Sequence, residues 1–133
     1  MAQAKDEAIR RFSTGATRDT DNGKLDPEGF FSPLVLLEYA EYMHRHRVQP
    51  DGDLRASDNW QNGMPRKQYM KSLWRHFMDL WLIHRGYPEK ARGDIKEALC
   101  GIMFNAMGYM HEVLIDRDVP DLEDENGRLD HTR

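Results

Sequence analysis

The sequence predicts an all-α fold, a helical bundle held by a single core. Three segments carry helix signals, with proline or aspartate at their starts, and polar loops separate them. No stretch shows the apolar–polar alternation of a half-buried strand. The 133 residues suffice for one domain, residues 1–133.

Residues 2–12 are compatible with a short polar helix, and residues 13–31, STGATRDTDNGKLDPEGFF, read as a long Gly- and Asp-rich loop. A loop this long inside a compact domain is uncommon and often functional. Ser32-Pro33 supplies an N-cap followed by proline at the first helical position, so a helix is expected from Pro33 to Arg47. Residues 48–63 form a second loop. The next helix starts at Pro65 and stops near Gly86. Pro88 and Gly93 punctuate a short connection, and a last helix is expected from Asp94 to Asp116. The acidic tail, residues 117–133, contains Pro120 and Gly127 and is expected to be mobile. Three main helices make a thin core for chains so broadly apolar, which favours a homo-oligomer.

Charged residues make up 32% and hydrophobic residues 39%, the balance of a soluble globular protein. The net charge of −4, with no long basic run, disfavours a nucleic-acid-binding surface. One cysteine, Cys100, permits neither an internal disulfide nor a Cys-based metal site, and its apolar neighbours mark it as a small buried hydrophobe. No apolar run reaches the roughly 18 residues of a membrane span. The N-terminus MAQAKDEAIRR is unlike a signal peptide, so a cytoplasmic location is the default expectation.

The helix from Pro33 is the most informative segment. From Pro33 to Met43 its only ionisable groups besides tyrosine are Glu38 and Glu41, about 60° apart on one face. The rest of the surface is apolar, as on a buried helix. Two carboxylates there need a partner: either they mark a solvent face and pair with Arg or Lys, or they bind a hard divalent cation. On the next helix Lys71, Ser72, Arg75, His76 and Asp79 share a stripe opposite Met70, Leu73, Trp74, Phe77, Leu80 and Trp81. The polar stripe is either a solvated face or a second wall able to hold a metal and neutralise phosphates. On the last helix Gly101, Asn105, Gly108 and Glu112 share one side, and Asn105 is either a satisfied core amide or a substrate contact. Glu97 suits the start of that helix as a favourable charge. In the loops, Arg18 and Lys24 suit gripping a polyphosphate, although the Walker A pattern is absent. Asn59 and Trp60 are either a base-reading amide and a stacking indole or a turn anchored by its tryptophan.

The Glu38-x-x-Glu41 pair followed by Asp79 resembles the MazG-like all-α nucleotide pyrophosphohydrolases, with His76-x-x-Asp79 standing where that family has ExxD. Over residues 12–115, the stretches STGATRDTDNGK, NWQNG, KSLWRHFMDLW and ALCGIMFNAMGYMHE are similar to the phage branch of dATP/dGTP diphosphohydrolases, the MazZ proteins of phages with 2-aminoadenine genomes. The resemblance implies a MazG-like bundle that assembles as a homotetramer in the host cytoplasm. It implies hydrolysis of dATP and dGTP to the monophosphates and pyrophosphate with Mg2+ or Mn2+, held by Glu38, Glu41 and Asp79, with His76 as a further ligand. Arg18, Lys24 and Arg75 would offset phosphate charge, and Asn59, Trp60 and Asn105 would contact the purine deoxynucleotide. Two rivals stand beside it: a non-catalytic nucleotide sensor or helical interaction protein, and a di-iron carboxylate bundle, for which the paired Glu-x-x-His motifs are missing.

Overall fold

The structure is a computed structural model that describes residues 9–20 and 23–122. The chain divides into two compact units, Met1–Pro33 and Leu34–Arg133. It is mostly helical, and among the described residues none of the helices is long and apolar enough to cross a membrane.

The first unit corrects two expectations. Ile9–Arg11 is a strand, β1, rather than the end of a helix over residues 2–12; residues 2–8 of that helix lie outside the described residues. The expected loop contains a second strand, β2 (Thr17–Asp19), and a one-turn helix, α1 (Pro27–Phe30). The strands pair antiparallel, with Ile9 opposite Asp19 and Arg11 opposite Thr17. Each is only three residues long and neither alternates apolar with polar, so the ladder comes from the turn between them. Phe12 N–H donates to Ala16 O and Gly15 N–H to Phe12 O, both at 3.0 Å, and Gly15 takes φ +87°, a left-handed conformation open to glycine at little cost. Arg10 Nε closes the pair by donating to Asp19 O at 2.8 Å. Asp26 caps α1 by accepting from Gly29 N–H at 3.1 Å, and Pro27 fills the first helical position.

In the second unit three helices follow the expected bounds closely: α2 (Pro33–Arg45, beginning at the unit boundary), α3 (Arg66–His84) and α4 (Ile95–Leu114). Asp94 caps α4 by accepting from Glu97 N–H at 2.8 Å, which also places Glu97 in the first turn, as its charge suggests. α3 and α4 run antiparallel. A Cβ on Gly101 would strike the His76 ring, and one on Gly108 would strike the Tyr69 ring, so the two glycines let the helices approach closely. α2 lies on this pair through Tyr42, which is buried, and through Tyr39, whose hydroxyl donates to Met107 Sδ at 3.7 Å. The connection after α2 folds back on itself: Arg55 N–H donates to Arg47 O at 2.7 Å, and a one-turn 3-10 helix at Asn59–Asn62 leads into α3.

The burial pattern departs from the sequence pattern in three places. The aliphatic residues Leu34, Leu36 and Leu37 of α2, expected to be buried, are 60% or more exposed. The polar stripe of α3 is split: Asp79 is buried and Ser72 and His76 are half-buried, whereas Lys71 and Arg75 are exposed. Outside, in their place, stand Met70, Trp74, Phe77 and Trp81. The core is accordingly rich in polar groups, with Gln68, Asp79, Asn105 and Glu112 buried beside Tyr42, Tyr69, Ala98 and Cys100. Such groups are tolerated when paired. Glu112 is, since Arg117 Nε and Nη2 each donate to it at 2.6 Å.

The segment from Arg117 onward, expected to be mobile, begins with contacts to the helices. Arg66 Nε donates to Arg117 O at 3.0 Å, Arg66 N–H donates to Asp118 Oδ1 at 3.2 Å, and Lys67 pairs with Asp121. Residues 117–122 are thus tied to the start of α3 and the end of α4. The remainder of the expected mobile tail, residues 123–133, lies outside the described residues.

Candidate nucleotide-binding cavity

α2 presents Tyr39, Tyr42 and Met43 on one face, and His46, just past its end, continues the same spacing. That face looks across a cavity of about 610 Å³ toward His76 and Ser72 of α3 and Phe104, Asn105 and Met107 of α4. The connection between α2 and α3 closes the remaining side with Arg47, Arg55, Asn59 and Trp60. The volume lies within the range of small-molecule sites, roughly 300–1,000 Å³.

Four of the residues expected from the sequence therefore meet here: Asn59, Trp60, His76 and Asn105. Trp60 is steadied edge-on by His111, with ring centroids 4.9 Å apart. Asn105 is 2% exposed and donates through Nδ2 to Gly101 O at 2.7 Å. A carbonyl can only accept, so the amide orientation is fixed. Its Oδ1 is left as an acceptor without a partner among the described residues. Burial, reinforced by Arg92, holds the His76 imidazole below its usual pKa, so it is neutral at pH 7. Burial also pushes the Tyr39 hydroxyl up to about 12, which keeps it a neutral donor.

Tyr39, Tyr42, His46, Arg47, Arg55 and Phe104 also line the cavity, and none was singled out in the sequence. The spacing of the α2 residues was a usable signal. The two arginines had none, because they reach the cavity only through the fold-back of residues 47–55. Arg47 spends Nε on Arg55 O at 2.8 Å and Arg55 spends Nη1 on His46 O at 3.2 Å. Their other guanidinium N–H groups have no acceptor among the described residues.

The acids are arranged differently. Glu38 is half-buried and Glu41 exposed on α2, and neither carboxylate has a hydrogen bond or ion pair among the described residues. Asp79 is paired with Arg92. Arg92 N–H donates to its Oδ1 at 3.2 Å, Arg92 Nε donates to Oδ2 at 2.9 Å, and Nη2 stands 2.7 Å from Oδ2. The Arg92 hydrogen bonds hold this carboxyl below the usual aspartate range. By donor chemistry Glu38 and Glu41 suit a hard divalent cation, whereas the charge of Asp79 is already paired with the Arg92 guanidinium. Among the described residues no three His, Cys, Asp or Glu side chains stand together as a metal-binding group. Arg75 is exposed and does not line the cavity. Arg18 lies in β2 and Lys24 beside the Gly23 turn, both in the first unit.

Comparison of the chain with protein-family models, curated proteins and solved structures finds no match.

Proposed function

We propose that the chain binds a purine deoxynucleoside triphosphate, dATP or dGTP, in this cavity and hydrolyses it to the monophosphate and pyrophosphate. The observation that carries the proposal is the cavity itself, which joins an indole, a buried acceptor amide and two arginines with donors to spare. Trp60 and Phe104 offer faces on which a base can stack. Asn105 Oδ1 accepts from a base-edge N–H, which both adenine and guanine carry and which a site built for it rewards strongly. Arg47 and Arg55 offer planar N–H pairs to phosphate oxygens. His76, being neutral, serves as a hydrogen-bond partner rather than as a phosphate-binding cation. Mg2+ or Mn2+ held by Glu38 and Glu41 would supply Lewis acidity to the phosphates. In the resemblance this activity belongs to phage nucleotide-pool remodelling for a 2-aminoadenine genome, carried out by a homotetramer in the host cytoplasm, and the proposal extends to that setting.

The commitment of Asp79 to Arg92 favours a second role, nucleotide sensing without turnover. One experiment separates the two. The wild type, Glu38→Gln and Glu41→Gln are incubated with each dNTP and Mg2+ or Mn2+, products are separated by chromatography, and dNTP binding is followed by calorimetry. Hydrolysis predicts monophosphate plus pyrophosphate from the wild type, and loss of at least about tenfold in both variants with helical circular dichroism intact. Tight dATP or dGTP binding without turnover assigns the sensor. Absence of both binding and turnover sinks the cavity assignment.

A further inference from the structure

Trp60 lines the cavity from a segment that has little structure of its own. Asn59–Asn62 is one 3-10 turn, closed by Gln61 N–H to Asp58 O at 2.9 Å and Gly63 N–H to Trp60 O at 3.0 Å. A single turn fixes several dihedral angles for one or two hydrogen bonds, so it does not hold itself in place.

What holds it comes from the end of α4 and the residues just beyond. Arg117 Nη2 divides its two N–H groups between Glu112 Oε1 at 2.6 Å and Gln61 O at 3.1 Å, while Nε donates to Glu112 Oε2 at 2.6 Å. The planar guanidinium is therefore a bracket. One edge sits on a carboxylate that is 1% exposed, and the outer nitrogen reaches the main chain next to Trp60. Arg66 steadies the bracket by donating through Nε to Arg117 O at 3.0 Å. Gly63 lets the turn settle directly on the ion pair. A Cβ there would strike both the guanidinium and Glu112 Oε1, and its φ of +90° is one that glycine adopts at little cost. His111, one position before Glu112, sets its ring edge-on to the indole, 4.9 Å between centroids at 76°. His111 does not line the cavity, so it supports Trp60 from outside the site.

We infer that Arg117 and His111 are positioning residues for the cavity: bracket and ring together hold Trp60 in the orientation in which it stacks on a base. The stacking rests on the nucleotide reading of the cavity; the holding does not. A ring ordered before binding loses little freedom when the base arrives, whereas a loose turn would have to be ordered by the ligand. Trp74 and Trp81 are exposed and outside the cavity, and replacing both with phenylalanine leaves Trp60 as the sole tryptophan of the full chain. Acrylamide quenching of its fluorescence then reads how firmly the ring is held, with no ligand present. Calorimetry reads dATP and dGTP binding.

Arg117→Lys keeps a cation for Glu112, but its single nitrogen does not reproduce the planar fork that also reaches Gln61 O. A half-buried ring that becomes fully reachable is quenched more, so the quenching constant is expected to rise about twofold. Affinity for dATP and dGTP is expected to fall about tenfold, within what loss of one base–aromatic stack costs. The melting temperature stays near that of the background. His111→Ala gives the same two changes, and His111→Phe, which keeps a ring edge against the indole, restores both. An Arg117→Lys chain that melts lower yet quenches and binds like the background overturns the inference, because the bracket then serves stability alone. A loosened Trp60 with unchanged nucleotide affinity overturns it as well. Should Arg117→Lys fail to fold, the His111 variants decide: equal quenching in His111→Ala and the background refutes the inference. A background chain that binds neither nucleotide removes the nucleotide reading, and the quenching arm still decides whether Arg117 and His111 hold the ring.

Discussion

His76 shows how one residue's chemistry is set by neighbours distant in sequence. Its ring rests against Gly101 of α4, and burial with Arg92 lowers its pKa. The folded state therefore binds the proton less tightly than the unfolded chain, whose histidine titrates near 6.5. Stability contributed by the neutral ring is present above that pH and is lost as pH falls below it. Thermal melts across a pH series are expected to show the melting temperature dropping from about pH 6.5 downward, and His76→Gln is expected to flatten that slope. An identical slope in the variant would show that other groups carry the acid sensitivity. The sequence made His76 and Asp79 legible as a pair one turn apart on α3. It did not reveal that Asp79 belongs to Arg92, thirteen positions away beyond the end of the helix, because such pairing depends on where the connection after α3 returns. Asn105 was legible only as an alternative between core amide and ligand contact. The structure shows half of the amide spent on Gly101 O and the other half available.

Helix boundaries were the most legible elements, because each start is local chemistry. Asp94 exemplifies this, with an extended backbone and a side chain accepting from Glu97 N–H. Asp94→Ala is expected to cost about 1 kcal/mol, read as a lower urea midpoint at unchanged slope. An unchanged midpoint would mean that water replaces the cap without loss. The strands were illegible for the complementary reason. Ile9–Arg11 and Thr17–Asp19 are too short and too polar to alternate, and strand formation depends on the partner across the ladder more than on intrinsic preference. Periodicity gave α3 two faces, but it divided them differently from the structure, and it carries no sign. Which side goes inward was decided by Arg92, by the bare backbone of Gly101 and by the cavity, none of which lies on α3.

At the scale of the molecule, the described C-terminal segment joins parts that the helices alone leave apart. Arg117 clasps Glu112 of α4 and also donates through Nη2 to Gln61 O at 3.1 Å, while its own carbonyl accepts from Arg66 of α3. Arg117→Met leaves Glu112, 1% exposed, as a buried carboxylate without its cation. The expected result is a melting temperature lower by at least about 5 °C, part of which Glu112→Gln restores by removing the stranded charge. A variant melting like the wild type would show that Arg66 suffices to hold Glu112. The buried thiol of Cys100 has a different use. It is the sole cysteine, 5% exposed in the middle of the three-helix contact, and burial raises its pKa, so little thiolate is present at neutral pH. An alkylating reagent reaches it only when α4 parts from its neighbours. The labelling rate of the unmodified chain is thus a clock for the opening of its own core, with no probe to be introduced.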